Sequence, residues 1–448
     1  MTDSMNEWIH HENPKLGERY AEITHVSGLR ILVAPKDLSA AYATVGVNYG
    51  SRDRLAGGTL PMGVAHFLEH KMFEREGGEN WEDVFSALGA EVNAYTSDDS
   101  TAYMLQTTDR LPEALEALLR MVTELSVTKA SVARERGIIA EEIRMNADDP
   151  WEVCYANMLR GLYAPVRTGV RGGGNPVREE ICGTESSIRR ITPAALSEAH
   201  RRFYHPRNMV LAVSGRVTPE EVLAVADKVL GTQPPVAPWA VPAIRRRSRD
   251  SIGVYRPRIT AEMDTAKPLF SIGIKLSDIP DEPRATVRRE RVMTLLSEML
   301  FSRSGDFYDR LFEEGLVSPG MAYGSSLGRP ALGNTGESYG YFYLSGECDD
   351  PEAVYTAFAD HMNTLRRIGL DRESFHRARR TLYADFVYGF DSTEGIASSL
   401  MTTAMDGVGL FELCELDSSI TFEEICALFE ENFVPARYTL STVRERGK

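Results

Sequence analysis

The chain alternates short apolar runs with longer amphipathic stretches, and the spacing of the apolar positions separates strands from helices. Runs rich in β-branched residues predict strands, whereas apolar residues at intervals of three and four predict helices. In chain order, the first half is predicted to contain strands over residues 28–34 and 43–49, a helix over 60–73, extended chain over 90–97, helices over 109–125 and 128–145, and a strand over 209–217.

The pattern of the first half recurs in the second half. The apolar run around Gly273 repeats the run around Gly46, 227 residues earlier. The segment around Phe433 likewise repeats the segment around Phe203, 230 residues earlier. Two repeats at nearly the same separation indicate a duplicated domain. We therefore predict an α+β fold of two tandem homologous domains, each a mainly antiparallel β-sheet packed with α-helices.

A stretch rich in proline and arginine separates the two repeats. Prolines cluster in residues 232–242, and a basic run follows at 245–249. Because proline lacks an amide donor and stiffens the backbone, the stretch is typical of a linker. The basic run is typical of a solvated linker surface, with a partner-binding patch as the alternative. The predicted boundaries are an N-terminal domain over 1–231, a linker over 232–264 and a C-terminal domain over 265–448.

Composition and charge narrow the function classes. Hydrophobic residues make up 43% and charged residues 26% of the 448 residues, close to the averages of about 45–50% and 25% for folded proteins. The formal net charge of −15 disfavours nucleic-acid binding, since phosphate-binding surfaces are basic. No window contains the roughly 20 apolar residues of a membrane span, and the first residues lack a secretory pattern. We therefore expect a cytoplasmic protein with no nucleic-acid or membrane partner.

The five cysteines indicate neither a disulfide framework nor a thiolate zinc finger. Their number is odd, and no two are spaced as CxxC. We interpret all five as the ordinary reduced thiols of a cytosolic protein.

Two histidines four residues apart carry the candidate chemistry. On a helix, His66 and His70 lie on one face and can bind a single ion. Glu69 precedes His70 by one residue, about 100° round the helix, so it points beside the metal, where a general base is needed. This order, HxxEH, is the inverse of the HExxH zinc motif. The alternative is a helix face that binds no metal; the position of Glu69 and a Glu-rich helix downstream favour the metal site.

A catalytic zinc ion usually has three protein ligands and a water, so the histidine pair needs a third ligand. The predicted helix over 128–145 offers Glu135, Glu141 and Glu142. Glu135 and Glu142 are nearly two turns apart and share a face, with Glu141 about 100° away. The shared pair is separated by about 10 Å along the axis, too far to bind one ion together. One of the two can therefore bind zinc while the other orients a histidine.

Five segments resemble the insulinase/pitrilysin family of zinc peptidases, which includes the mitochondrial processing peptidases. They are HFLEH at 66–70, GAEVNAYTS at 89–97, ERGIIAEEI at 135–143, GTESSI at 183–188 and FYHPRNM at 203–209. The resemblance is strong over residues 25–220 and diffuse over 265–448. The length is similar to that of the two-domain bacterial and mitochondrial members.

The resemblance implies a role for each matching residue. In chain order these are His66 (zinc ligand), Glu69 (general base), His70 (zinc ligand), Asn93, Ala94, Tyr95 and Thr96 (substrate-binding strand), Glu135 (a carboxylate of the catalytic site that acts behind the ligands) and Glu142 (zinc ligand). A substrate that pairs with this strand backbone to backbone is read mainly through its main chain. The resemblance therefore implies an extended peptide substrate, with broad tolerance of side chains.

The C-terminal half departs from the family where an Arg and a Tyr hold the substrate near the zinc. Phe312 and Ser318 stand at those two positions, and the nearby Arg310 and Tyr323 match neither the spacing nor the order. In paired family members an inactive sister subunit supplies the Arg and the Tyr. The resemblance implies a heterodimer with a homologous subunit that lacks HxxEH and brings this clamp. The alternative is that Arg310 or Tyr323 replaces the clamp within this chain.

Together these features predict a zinc metalloendopeptidase with zinc in the N-terminal domain and none in the C-terminal domain. We expect a processing peptidase that cleaves extended peptides or unfolded segments as the catalytic subunit of a heterodimer. The alternative is a non-catalytic, zinc-retaining assembly subunit of a larger complex. Such subunits usually lose zinc residues. This chain keeps all five residues of the predicted zinc centre, which are His66, Glu69, His70, Glu135 and Glu142.

Overall fold

The computed structural model describes residues 7–53, 60–166, 174–233, 253–280, 282–328 and 338–447. The elements of the first half are β1 (Ile9–Asn13), β2 (Glu18–Thr24), β3 (Arg30–Pro35), β4 (Ala41–Val47), α1 (Val64–Met72), α2 (Trp81–Leu88), β5 (Ala90–Thr96), β6 (Thr101–Thr107), α3 (Leu111–Thr123), α4 (Lys129–Asp148), α5 (Pro150–Leu162), α6 (Glu185–Ile188), α7 (Pro193–Phe203), β7 (Met209–Gly215) and α8 (Pro219–Leu230). Those of the second half are β8 (Arg258–Met263), β9 (Leu269–Lys275), α9 (Pro283–Phe301), α10 (Asp306–Glu313), β10 (Ala322–Leu327), β11 (Gly340–Glu347), α11 (Pro351–Ile368), α12 (Arg372–Tyr388), α13 (Thr393–Met405), α14 (Leu410–Ser419), α15 (Phe422–Asn432) and β12 (Tyr438–Glu445). Within the described residues, no helix combines the length and the apolar character that crossing a membrane requires.

The first half forms a seven-stranded sheet in the order β1-β2-β3-β7-β4-β6-β5. Neighbouring strands are antiparallel except β3 and β7, which are parallel. Strands β4 and β7 are buried along their whole length, because central strands covered on both faces carry continuous apolar runs. Strand β5 is the last of the sheet, so one of its edges pairs with no other strand in the described part of the chain.

The second half forms a five-stranded sheet in the order β10-β11-β9-β12-β8. It is antiparallel except for the pair β8 and β12, which is parallel. The buried central strands β9 and β12 correspond to β4 and β7, and the parallel pair β8/β12 corresponds to β3/β7. The predicted α+β fold, with two mainly antiparallel sheets packed with helices, is confirmed.

The second sheet begins earlier in the chain than the sequence indicates. Strand β8 (Arg258–Met263) lies inside the stretch 232–264 that is predicted as a linker. Its side chains alternate between exposed and half-buried, so the strand lacks the continuous apolar run that identifies β9. Residues 234–252, which include the prolines and the basic run, lie outside the described residues.

Each sheet receives a helix from the other half of the chain. Helix α13 packs on β4 and β7 of the first sheet, and α5 packs on β9 and β12 of the second. A Cβ atom on Gly46 would lie 2.4 Å from Met405 Sδ, and one on Gly273 would lie 2.4 Å from Met158 Sδ. The two glycines of the sequence repeat are therefore the places where a methionine of the crossing helix meets each sheet.

Candidate metal centre

Helix α1 presents its two histidines because of where it begins and what it buries. It starts after Gly63, whose φ of 84° lies in the left-handed region. Phe67 and Leu68 are buried in the core of the first half. His66 and His70 project from the neighbouring face, with ring centroids 4.6 Å apart. The predicted helix is confirmed here, and it points both imidazoles towards α4.

Helix α4 brings one carboxylate to both histidines. His66 Nε2 lies 3.3 Å from Glu142 Oε1, and His70 Nε2 lies 3.6 Å from Glu142 Oε2. The hydrogen bond from His66 holds the pKa of Glu142 below its ordinary value. The side chain of Glu142 is therefore an ionised carboxylate between two imidazole rings.

The other two glutamates singled out on α4 point in different directions. Glu135 Oε1 lies 3.0 Å from His70 Nδ1. Burial raises the pKa of Glu135, but the hydrogen bond from His70 and the nearby positive charges together outweigh burial, and the pKa falls below its ordinary value. Glu141 pairs with Arg144, and its side chain is 70% exposed. Glu135 and Glu142 thus share the face towards α1, as their seven-residue spacing predicts, and Glu141 lies off it.

Glu69 is buried next to the histidines and is held by strand β5. Its Oε2 accepts a hydrogen bond from the hydroxyl of Thr96. Glu69 as a whole is only 8% exposed, and both residues line one cleft. Thr96 is predicted to lie along the substrate, and the structure adds a contact that fixes the carboxylate of Glu69.

The candidate metal centre lies in a cleft of about 970 Å³ that both halves of the chain line. The first half contributes, among others, His66, Glu69, His70, Ala94, Tyr95, Thr96, Glu142 and Cys182. The second half contributes Ser325, Ser326, Tyr339, Tyr341 and Tyr343. The cleft is therefore a product of the whole fold, with the histidines on one side of the boundary between the halves.

Two residues of the predicted site do not line this cleft in the described part of the chain. Asn93 lies on β5, and its Oδ1 accepts a hydrogen bond from the amide of Ala94. Glu135 lies behind His70 and contacts the ring nitrogen that faces away from Glu142. Asn93 is thus near the cleft through its backbone, and Glu135 acts on the cleft through His70.

Sequence reasoning missed Cys182. Its Sγ lies 3.5 Å from Glu142 Oε1 and 3.8 Å from His66 Nε2. One candidate ligand atom from each of these three residues lies within 4.8 Å of the others. Cys182 follows Glu142 by 40 residues and forms no CxxC pair, so no spacing signal in the sequence marks it.

The four residues considered for a substrate clamp lie elsewhere. Phe312 is 50% exposed on α10, and Ser318 accepts a hydrogen bond from a lysine side chain. Arg310 is ion-paired with a glutamate four residues further on. The hydroxyl of Tyr323 donates to a glutamate of α9 at 2.7 Å. None of the four is among the described residues that line the cleft.

Two family models match the chain. The model described as Insulinase (Peptidase family M16) matches residues 32–166, and the model described as Peptidase M16 inactive domain matches residues 190–382. The first match contains α1 and α4, and with them both histidines and all three glutamates of the site. The second match begins after the residues that build the candidate metal centre.

Similar proteins cover nearly the whole chain. A Bacillus subtilis protein named uncharacterized zinc protease YmfH is 30% identical over 428 residues, which is 93% of this chain and 94% of that protein. The crystal structure of an M16-like peptidase from Alicyclobacillus acidocaldarius is 28% identical, with a TM-score of 0.84 and coverage of 97% and 99%. The periplasmic protease PqqL from Escherichia coli shares the fold, with a TM-score of 0.69 at 18% identity; the match covers 95% of this chain and 47% of PqqL.

The two-sheet fold and these matches place the chain in a family of metallopeptidases. The chain belongs to the insulinase family, peptidase family M16.

Proposed function

We propose that this chain is a zinc-dependent endopeptidase that cleaves extended peptides or unfolded segments, as the catalytic subunit of a processing heterodimer. The observation that carries the proposal is the convergence of His66, His70 and Glu142 beside Glu69 in one cleft. The name of the relative YmfH, a zinc protease, supports zinc as the metal.

The donor set of the centre fits a catalytic zinc ion. Two imidazoles and one carboxylate are a ligand set found in zinc peptidases. Ligands of a tetrahedral zinc ion at about 2.0–2.2 Å lie roughly 3.4 Å from one another. The separation of 3.3 Å between His66 Nε2 and Glu142 Oε1 agrees with that spacing. His70 Nε2 lies 3.6 Å from the other carboxylate oxygen, Oε2, so the side chain of His70 would have to move further towards the ion than that of His66.

His66, His70 and Glu142 would hold the metal, and Glu135 would keep the ring of His70 in place. Zinc supplies Lewis-acid chemistry when bound, lowering the pKa of water and polarising a carbonyl. The contact of Glu135 with His70 Nδ1 leaves Nε2 to face the metal. Such a carboxylate fixes both the tautomer and the orientation of a metal-binding histidine.

Glu69 would move the proton. Its Oε2 is held by the Thr96 hydroxyl, which leaves Oε1 to take the proton of the attacking water. The same carboxylate then returns that proton to the nitrogen of the leaving amine. The burial of Glu69 supports this role, since bulk water competes little for the carboxylate.

Strand β5 would bind the peptide. One of its edges pairs with no other described strand, and Ala94, Tyr95 and Thr96 reach the cleft. A peptide that adds to this edge forms main-chain hydrogen bonds, which require an extended conformation but few particular side chains. The geometry therefore favours unfolded or extended substrates.

Two observations support a second subunit. The residues at the positions of the family's Arg and Tyr, Phe312 and Ser318, do not line the described cleft, and neither do Arg310 and Tyr323. The match to PqqL covers 95% of this chain but only 47% of the PqqL chain. A homologous second chain would bring the total to the size of that single-chain protease.

Zinc content and proton transfer test the proposal separately. We expect the purified chain to bind one zinc ion, and His66→Ala or His70→Ala to lose it on dialysis against a chelator, because each removes one of three protein ligands. Glu69→Gln should keep the zinc and the fold while peptide cleavage falls by about 10²–10⁴-fold, since the amide cannot accept the proton. The measurements are metal analysis, circular dichroism and hydrolysis of an extended fluorogenic peptide.

Each negative result would count against a different part of the proposal. Full zinc content in both histidine variants would refute the metal assignment. Near wild-type cleavage by Glu69→Gln would refute the base assignment. A zinc-loaded wild-type chain that cleaves no peptide, even with its homologous partner, would favour the non-catalytic assembly subunit.

A further inference from the structure

Cys182 lies at the candidate metal centre although the peptidase chemistry has no task for it. The residue is 9% exposed and is a free thiol. Its Sγ faces two of the atoms assigned to the metal, His66 Nε2 at 3.8 Å and Glu142 Oε1 at 3.5 Å. Asn146 Nδ2, on the same helix as Glu142, lies 3.8 Å from the sulfur. The thiol is thus surrounded by the polar groups of the centre and not by the apolar core.

The distances suit coordination. Zinc binds thiolate sulfur at about 2.3 Å and imidazole nitrogen at about 2.0–2.1 Å, so tetrahedral neighbours lie roughly 3.3–3.7 Å apart. The sulfur, the nitrogen of His66 and the oxygen of Glu142 all lie within 4.8 Å of one another. A shift of a few tenths of an ångström would place all three around one ion.

The backbone of Cys182 is pressed against the start of the helix that carries His66. A Cβ atom on Gly63 would lie 2.4 Å from the Cys182 carbonyl oxygen. A Cβ atom on Gly183 would lie 2.6 Å from Ser187 Oγ and 2.9 Å from the Met62 carbonyl oxygen. Glycine on both sides of this contact permits the close approach. The fold therefore fixes the backbone of Cys182 relative to the helix that carries His66, and the rotamer of Cys182 then directs its sulfur to the centre.

We propose that Cys182 is a fourth protein ligand of the metal, which closes the centre in the resting enzyme and leaves it when a peptide binds. The inference rests on the proposed zinc site. On coordination the thiol gives its proton to water and the sulfur binds as thiolate; on peptide binding the sulfur–metal bond breaks and the thiolate takes a proton back from water. A centre with four protein ligands has no position for water, which is the arrangement of structural zinc sites, whereas catalytic sites keep one position open. Cys182 would thus keep the resting peptidase inactive.

X-ray absorption at the zinc edge tests the ligand directly. In the zinc-loaded full chain we expect one sulfur at about 2.3 Å together with nitrogen and oxygen at about 2.0 Å. Cys182→Ala and Cys182→Ser should keep one zinc per chain and lose the sulfur signal. Cys154→Ala is the matched control, because Cys154 is a buried free thiol that donates to the backbone of β12; this variant should keep the sulfur.

Peptide binding tests the release of the sulfur. Zinc-loaded Glu69→Gln with a saturating extended peptide should lose the sulfur signal, and washing the peptide out should restore it. A wild-type spectrum with nitrogen and oxygen only would overturn the inference while leaving the zinc site intact. A sulfur signal that persists with peptide bound would overturn the release step. A wild-type chain that binds no zinc would overturn the proposed function itself.

Discussion

Three glutamates within eight residues of α4 have three different surroundings. Replacing each of them should therefore change the zinc content by a different amount. Glu142 touches both histidines, Glu135 touches only His70, and Glu141 pairs with Arg144 at the surface. We expect Glu142→Gln to lose most zinc, Glu135→Gln to weaken binding by about 10–100-fold, and Glu141→Gln to bind zinc like the wild type. Metal titration with a competing chelator gives the order. A larger loss in Glu141→Gln than in Glu142→Gln would show that α4 is rotated relative to α1.

Asp98 makes the stability of the folded protein depend on pH. It lies beside the buried Arg52–Asp99 pair, and its Oδ2 lies 3.5 Å from the hydroxyl of Tyr339 in the second half. Burial raises the pKa of Asp98 to about 6; Arg52 opposes this shift and Asp99 adds to it. Since an unfolded Asp titrates near 3.9, the folded protein holds a proton here between about pH 4 and 6. This group therefore favours the fold at low pH, and the stabilisation is lost as the pH rises through 6.

Asp98→Asn should remove this dependence. The amide stays neutral, so the stability of the variant relative to wild type should increase between pH 4.5 and 7, by about 2 kcal/mol at 1.36 kcal/mol per pKa unit. Thermal unfolding at the two pH values, with Asp37→Asn as an exposed control, measures the change. Asp37 has a side chain that is 92% exposed. An equal difference between variant and wild type at both pH values would contradict the prediction.

The sequence predicts the residues of the site that share a helix, and misses those joined only by the fold. Intervals of four and seven residues place His66 with His70 and Glu135 with Glu142, because helical periodicity fixes which side chains share a face. Cys182 belongs to a different segment, and no interval relates it to α1 or α4. The packing of three separate segments, which no local pattern encodes, decides its place.

Two elements that cross between the halves explain why glycine stands at equivalent places in both sheets. Met401 and Met405 of α13 lie over Gly46, and Met158 and a leucine of α5 lie over Gly273. A side chain at either glycine would occupy the space of the crossing helix. The repeat that the sequence shows is therefore a repeat of a packing contact as well as of a strand.

Gly46→Ala and Gly273→Ala should each lower the stability of the whole chain by about 1–3 kcal/mol, the usual cost of overpacking a filled core. Gly137→Ala is the control, because a Cβ atom on this helical glycine would meet no atom within 4 Å, and the variant should be more stable by about 0.4–1 kcal/mol. Thermal midpoints of the three variants make the comparison. If Gly46→Ala and Gly273→Ala had the same thermal midpoint as Gly137→Ala, the prediction would be wrong, because the methionines would then have space to accommodate the added methyl group.

Sequence patterns predict the elements inside each half better than the packing between the halves. Continuous apolar runs identify the buried strands β4, β7 and β9, and periodicity identifies α1 and α4. Strand β8 falls in the predicted linker because its exposed residues are charged or polar. No sequence pattern indicates that α5 packs on the second sheet and α13 on the first. The apolar face of a helix shows that the helix will be buried, but not which sheet will cover it.

At the scale of the whole molecule, both halves of the chain line a single cleft, but they contribute different kinds of residue to it. The first half contributes the histidines and Glu142, and the second half contributes serines of β10 and tyrosines of β11. Phe312 lies half-exposed on α10, at the position where the family's Arg is expected. The second half of this chain thus shapes the cleft of its own first half, and among the described residues Arg310, Phe312, Ser318 and Tyr323 do not line that cleft.

We therefore predict that this chain alone cleaves peptides slowly, and that a homologous subunit without HxxEH raises its turnover by about 10²–10³-fold. Donors aimed at the developing oxyanion typically contribute that much each, and the partner's Arg and Tyr would supply them over this zinc. A homodimer would bring only a second copy of Phe312 and Ser318, so self-association should not raise the rate.

Initial rates at fixed zinc, with and without the partner, measure the effect, and replacing the partner's Arg by Ala should abolish the gain. Arg310→Ala and Tyr323→Phe in this chain should leave the rate of the pair unchanged, because both side chains are engaged outside the cleft. Full-strength cleavage by the isolated chain that is lost in either of these two variants would show instead that the clamp lies within this chain.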